Sequence, residues 1–212
     1  QSNVAELGGA AIYTVGNLLV NRALIADNVA YNSSAILSRG ATSVVSSLIL
    51  ANGDESSKSG TYAVLISGGT MELVGNTIVG NYQGGVTSIA GEVKVYNSII
   101  GDNGGYDLNL KNVADVQYCM VDRSLQTIAA TNLHYAPNFN DFDKSADWTQ
   151  WNLRLSGSSI AINGGSVEYN YYTSFTGKKT AITVDYAGNS RLTDTGVDVG
   201  AYSANLAIED FS

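Results

Sequence analysis

Apolar residues recur in pairs along the first half of the chain. Leu24-Ile25, Leu48-Ile49, Ile78-Val79, Ile99-Ile100 and Met120-Val121 follow one another with their first members 24, 30, 21 and 21 residues apart. A glycine or asparagine precedes each pair: Gly16, Gly40, Gly69, Gly91 and Asn112. Seven residues separate it from the leading apolar position, or eight after Gly69. These two residue types reach positive φ most easily, so the column predicts one tight turn per repeat. Two residues past that turn stand Leu18, Thr42, Met71, Val93 and Ala114, and four past it Val20, Val44, Leu73, Val95 and Val116. Glu72, Lys94 and Asp115 lie between them, giving the period of two of a strand with one buried face.

Asparagine completes the repeat. Asn28, Asn52 and Asn103 stand four residues past the leading apolar position, and Asn81 three past it. Stacked at one corner, each amide would donate to the carbonyl of the next, forming a structural ladder along an axis. Units of this length with short strands suit a coil that stacks on itself, strand on strand at about 4.8 Å, better than a sandwich. The fold class predicted is all-β, a right-handed single-stranded parallel β-helix over residues 1–124. An irregular, strand-rich C-terminal cap over 125–212 is expected to pack on the last coil. The hydrophilic run Asn52 to Gly60 reads as a loop bulging from one coil. Asn3-Val4-Ala5 echoes Asn28-Val29-Ala30 at a distance of 25, so further coils are expected before Gln1.

Composition narrows the partners. Twenty-three glycines against one proline in 212 residues agree with many short strands and turns. A net charge of −8 and a pI near 4.4 argue against nucleic acid, whose binders present a basic face. No run approaches the roughly 18 apolar residues of a membrane span, so direct membrane insertion by this chain is not expected. The single cysteine, Cys119, excludes an internal disulfide framework.

The segments "SGGTMELVGNTIVGN" and "AGEVKVYNSIIGDNGGYDLNL" resemble the repeats of bacterial right-handed parallel β-helix surface proteins, the pectate-lyase-like and outer-membrane-repeat group. "NLRLSGSSIAINGGS" followed by "VDYAGNSRLTDTGVDVGAYS" resembles the closing segment of choice-of-anchor β-helix proteins. Leu153, Leu155, Ala161, Ile162, Gly164, Asp185, Gly188, Arg191, Asp198, Gly200, Ala201 and Tyr202 match that pattern. Ser159, Ile160, Asn163 and Ser203 depart from it. The resemblance implies an exported, extracellular or cell-surface protein whose signal and anchor lie outside these residues.

Five groups of side chains carry candidate chemistry. Asp185, Arg191 and Asp198 read as structural ion pairing of turns, with recognition of an acidic sugar as the alternative. Asp102, Asp107 and Asp115 offer oxygen ligands for calcium, without the spacing of an EF-hand, and no other cofactor is expected. Arg22, Arg39, Lys94 and Lys111 would serve a lyase but occupy different columns. His134 and Cys119 lack an orienting motif. Trp148, Trp151, Tyr169, Tyr171 and Tyr172, with Phe175, suit either sugar stacking or coverage of exposed solenoid surface.

The function expected is non-catalytic: an adhesin-like or glycan-binding segment that meets glycan or host matrix. A β-helix polysaccharide lyase or glycoside hydrolase acting on acidic glycans is the alternative from another class. A purely structural stalk is the third. No two carboxylates pair convincingly at glycosidase separation.

Overall fold

The computed structural model describes residues 1–6, 8–31, 33–54, 62–111, 115–193 and 196–204. Strands Leu24–Ala26, Leu48–Leu50, Thr77–Val79, Ile99–Gly101 and Met120–Val121 form one parallel five-stranded ladder. Five rungs enclose about four turns of a parallel β-solenoid. The second sheet carries Gly9–Thr14, Ser34–Ser38, Tyr62–Val74, Gly84–Tyr96 and Leu108–Leu110. Leu18–Asn21, Ala41–Val45 and Asp115–Gln117 extend it beyond the bend. The interior is filled by like residues in register: Val20, Val44, Leu73, Val95 and Val116 make one column and Ile25, Ile49, Ile78, Ile100 and Val121 another.

That register corrects the third repeat. Ile78 pairs with Ile49 and Ile100, so Thr77 and not Ile78 holds the leading position beside Leu48 and Ile99. Counted from Thr77, Gly69 and Asn81 fall at the spacing of every other coil, and the apparent one-residue insertion disappears. A polar residue fits there because the leading position faces outward.

The glycine column serves a different purpose from the one its composition suggests. Gly16 and Gly40 keep ordinary φ, and only Gly69 (+71°) and Gly91 (+87°) are left-handed. A Cβ at Gly40 would run into the Gly16 carbonyl, one at Gly69 into that of Gly40, and one at Gly91 into that of Gly69. Glycine is required here because backbone stacks on backbone. Asn112 and Ala114, the fifth members of their columns, lie outside the described residues, as do residues 55–60 of the expected loop.

The sharp corners fall elsewhere, at two columns of left-handed residues. One is Arg22, Ser46, Gly75, Asn97 and Tyr118; the other is Asp27, Ala51, Gly80 and Asp102. Left-handed backbone costs a non-glycine residue about 1–2 kcal/mol, so something must hold these turns. At each, the next residue links to the neighbouring coil. At the first corner the N–H of Ala23 donates to Ser47 Oγ (3.1 Å), Ser47 to Asn76 Oδ1 (2.9 Å), Asn76 to Ser98 Oγ (3.1 Å) and Ser98 to Cys119 Sγ (3.5 Å). Cys119 donates in turn to Asn132 Oδ1 (2.9 Å).

The second corner carries the asparagine ladder. Nδ2 donates to the next Oδ1 from Asn3 to Asn28 (2.9 Å), Asn28 to Asn52 (2.9 Å), Asn52 to Asn81 (2.8 Å) and Asn81 to Asn103 (2.8 Å). Each Oδ1 also accepts the backbone N–H of the preceding rung. The last rung is Asp107, whose Oδ1 accepts from Asn103 Nδ2 (2.7 Å) and N–H (3.2 Å). Its Oδ2 takes the Arg123 N–H (2.9 Å), with the Arg123 guanidinium 3.6 Å away.

The C-terminal half meets the solenoid both at its last coil and along its flank. Residues 123–133 seal that coil: Leu125 N–H donates to Leu108 O, Leu133 N–H to Cys119 O, and Ile128 packs on the core. From Tyr135 onward the chain runs back along the flank. Gly200 N–H bonds Asn97 O, Ala201 N–H bonds Thr77 Oγ1 (3.0 Å), Ser46 Oγ bonds Val184 O (3.1 Å) and Arg22 Nε reaches Tyr186 O (3.4 Å). The outward residues Leu48, Leu50, Val79, Ile99 and Met120 need this cover, which Leu153, Leu155, Val199 and Ala201 supply. On the neighbouring face Ile182, Tyr169 and Tyr172 cover Val45, Val74 and Tyr96.

Candidate binding cleft

Where the flank segment crosses the asparagine corner it leaves an open cleft of about 700 Å³. Small residues of successive coils floor it: Ala51, Gly53, Gly80 and Gly104. Tyr82 follows Asn81 in the column that Val29, Gly53 and Gly104 occupy in other coils, so glycines flank it and its ring stands alone, 43% exposed. The short 3-10 turn Trp148–Gln150 brings Trp148 to the same cleft. Trp151 closes the wall. Its ring rests on Gly80, where a Cβ would strike it, it meets Phe142 edge-on with centroids 4.9 Å apart, and its Nε1 donates to Asp143 O (2.8 Å).

The polar groups of the cleft are fixed as well. Asp147 caps the 3-10 turn, accepting from Thr149 Oγ1 (2.6 Å) and N–H (2.9 Å). Those bonds hold its carboxyl below the ordinary carboxylate value, so it stays ionised at neutral pH. Lys144 donates to the Asp102 carbonyl, tying the flank loop to the corner beneath. Exposed aromatic rings in a shallow trough, with the carboxylates of Asp27 and Asp147 and the ammonium of Lys144 in the same lining, can stack on a sugar ring and bond its hydroxyls.

No protein-family model, curated protein or solved structure matches this chain. Its chemistry therefore rests on its own geometry.

The five aromatic residues expected at one site divide between two flanks. Trp148 and Trp151 line the cleft. Tyr169 packs on Tyr96 and Tyr118 with centroids 4.8 and 5.5 Å apart, Tyr172 packs on the covered face, and Tyr171 lies under the Lys179 ammonium at 4.0 Å. Tyr169 and Tyr172 cover the Val45, Val74 and Tyr96 face, and none of the three tyrosines lines the tryptophan cleft. Sequence reasoning missed Tyr82, Lys144 and Asp147. Tyr82 carried a signal, a large aromatic in a column otherwise small, which emerges once Thr77 sets the register.

The charged candidates resolve into structural roles. Arg191 is fully buried, and among the described residues no carboxylate lies within the 4.0 Å of an ion pair; its guanidinium donates to Gly200 O (2.5 Å) and Asp198 O (3.0 Å) and lies against Gly75. Burial lowers its pKa to about 10. Asp198 and Asp185 act on Arg191 through their charge, opposing the effect of burial, while their oxygens are occupied by backbone N–H groups. Asp185 accepts from Asn189 N–H (2.7 Å) and Ser203 N–H (2.8 Å), and Asp198 from Asn163 N–H (2.7 Å) and Ala204 N–H (2.6 Å).

The acidic trio does not converge. Asp107 is the buried ladder terminus, its carboxyl pushed up by burial against the pull of Asn103 and Arg123. Asp102 accepts from Tyr135 Oη (2.6 Å) and Asp115 from Tyr96 Oη (2.6 Å), at different corners. Among the described residues no three His, Cys, Asp or Glu side chains are grouped to hold a metal ion. The basic residues also stay apart: Arg22 bonds the flank segment, Arg39 bonds Ser67 Oγ (3.2 Å) at the bend, and Lys94 faces Glu72. Cys119 is a buried rung whose thiol burial pushes up to about 12, while His134 is exposed.

Proposed function

We propose that this chain is a non-catalytic, glycan-binding segment of an extracellular bacterial surface protein, related in kind to the outer-membrane-repeat and choice-of-anchor β-helix proteins that its motifs resemble. The observation that carries the reading is the open cleft that Tyr82, Trp148 and Trp151 line over a floor of glycines, with Asp27 and Asp147 in the same lining. Aromatic residues held half-exposed by a rigid scaffold suit the C–H faces of sugar rings, and an ionised carboxylate accepts their hydroxyls. The floor follows the solenoid axis, which favours an extended saccharide over a compact ligand.

A glycan array followed by calorimetric titration of the hits tests this reading. Saturable binding is expected, and Trp148→Ala or Tyr82→Ala is expected to weaken it about tenfold each, the loss of one stacked face. A parallel assay for unsaturated uronate products is expected to stay blank. An array without saturable binding, or unchanged affinity in Trp148→Ala, refutes the assignment.

A further inference from the structure

The outward face of the second sheet carries a separate hollow of about 270 Å³, on a different side of the coil from the tryptophan cleft. Its base is built from side chains on three stacked strands. Ala41, Thr70 and Glu92 form one outward row and Ser43, Glu72 and Lys94 the next. Its wall is the loop of the hairpin Tyr171–Thr173 and Lys179–Ala181. Glu72 fastens that hairpin to the sheet: its two carboxylate oxygens accept from Thr173 N–H (2.6 Å) and Thr173 Oγ1 (2.8 Å), and it is only 8% exposed. The wall is therefore part of the fold and the hollow is preformed.

Its lining is selective. Lys94 lies 3.9 Å from Glu72 and answers that charge. Glu92 is exposed and has no hydrogen bond or ion pair with another described residue, so its carboxylate is the uncommitted charge of the hollow. Asp115, paired in register with Lys94, lies beyond the lining, where its oxygens accept from Tyr96 Oη (2.6 Å) and Gln117 Nε2 (3.1 Å). Phe175, 48% exposed, offers a ring face, and Ser43, Thr70 and Ser174 supply hydroxyls. A hydroxylated ring bearing an ammonium group satisfies all three: a charge-assisted hydrogen bond to Glu92, attraction to the Phe175 ring, and exchange of hydroxyl hydrogen bonds. Of the charges that line the hollow, two carboxylates stand against the one ammonium of Lys94, which disfavours an anionic sugar there.

We propose that this hollow is a second binding site, specific for an amino sugar through its free ammonium group. It is independent of the tryptophan cleft, and either site can exist without the other.

The test is calorimetric titration of the full chain with glucosamine, N-acetylglucosamine and glucuronate. Glucosamine is expected to bind saturably and to weaken with added salt, N-acetylglucosamine to bind more weakly, and glucuronate not to bind. Glu92→Gln is expected to lower glucosamine affinity about three- to fivefold, the worth of a partly exposed charge pair. Phe175→Ala is expected to lower it as well. Lys94→Met removes the competing cation and is expected to raise affinity, the opposite sign. Trp148→Ala is expected to change nothing. All four positions are exposed or half-buried, so unchanged melting curves confirm that each variant folds. Equal binding of the three sugars, no binding by any, unchanged affinity in Glu92→Gln, or loss of binding in Trp148→Ala each overturns the proposal.

Discussion

The asparagine ladder has a direction, and Asn81→Asp tests it. Asn81 is fully buried. Its Oδ1 accepts from Asn52 Nδ2 (2.8 Å) and N–H (3.1 Å), which an aspartate oxygen would still do. Its Nδ2 donates to Asn103 Oδ1 (2.8 Å), Ile49 O (3.1 Å) and Val79 O (3.2 Å). Aspartate there replaces a donor by a charged oxygen facing three other oxygens. Uncompensated buried charge of this kind costs about 3–5 kcal/mol. For a chain of this size that lowers the melting midpoint by about 6–20 °C. The sign with pH follows. The folded-state pKa of the introduced carboxyl is raised, so the stability its protonated form gives is present below the unfolded value near 4 and is lost as pH rises through the folded value. While it is protonated the carboxyl O–H donates to Asn103 Oδ1, and the deficit against wild type shrinks to about 1–2 kcal/mol. Thermal and denaturant melts of both proteins at pH 4 and pH 7 measure this. A deficit under about 1 kcal/mol at pH 7, or one independent of pH, refutes the directional ladder.

At the other end the reverse substitution fails for a related reason. Asp107→Asn offers one acceptor where two are needed, since the Asn103 and Arg123 donors face opposite oxygens and either amide orientation sets donor against donor; a loss of about 1–3 kcal/mol is expected in denaturant melts. Gly16→Ala and Gly40→Ala fall in one column with opposite outcomes. Gly16 has open space and is expected to gain up to about 1 kcal/mol, whereas the Gly40 methyl meets the Gly16 carbonyl and is expected to cost at least about 2 kcal/mol; equal effects on the melting midpoint would contradict the stacked-backbone account. Cys119, buried with its thiol at about 12, is expected to react with a thiol reagent at pH 8 only as fast as the protein unfolds, and labelling at the rate of a free cysteine would show that the rung is open.

Much of the solenoid was legible because a coil that stacks on itself puts like residues in one column, and a column survives as a period in the chain. The inward positions Val20, Val44, Leu73, Val95 and Val116 and the corner asparagines are of that kind. Thr77 was missed because the reading took an apolar residue to lead every repeat, which moved the third pair one residue on to Ile78-Val79. The leading position faces the flank, where the C-terminal segment buries Leu48 and Ile99 from outside and meets Thr77 with a backbone N–H. The glycine column was read as a φ requirement and is mainly one of clearance, a property of two coils together that no single repeat displays. Asp107 looked like part of an acidic surface cluster because its role depends on the polarity of hydrogen bonds running through four other coils. Which flank each aromatic residue covers was not legible, since covering segments make contacts that have no period.

The same register joins the ladder to the cleft. Asn81 is held between Gly80, the left-handed corner on which Trp151 rests, and Tyr82, another residue of the cleft lining. A turn at Gly80 persists only while the rung after it bonds both neighbouring coils, and only a residue without Cβ leaves room for the indole. Tyr82 owes its exposure to the glycines at 53 and 104 and its direction to the backbone that Asn81 fixes. Three consecutive residues thus carry the seat of Trp151, the bond that holds the corner, and a further ring of the lining. The rigidity of the cleft is accordingly the rigidity of the asparagine stack. Loosening the rung at 81 while leaving every cleft side chain in place is expected to weaken binding there through lost preorganisation, and to leave the hollow at Glu92, built on another face, unaffected.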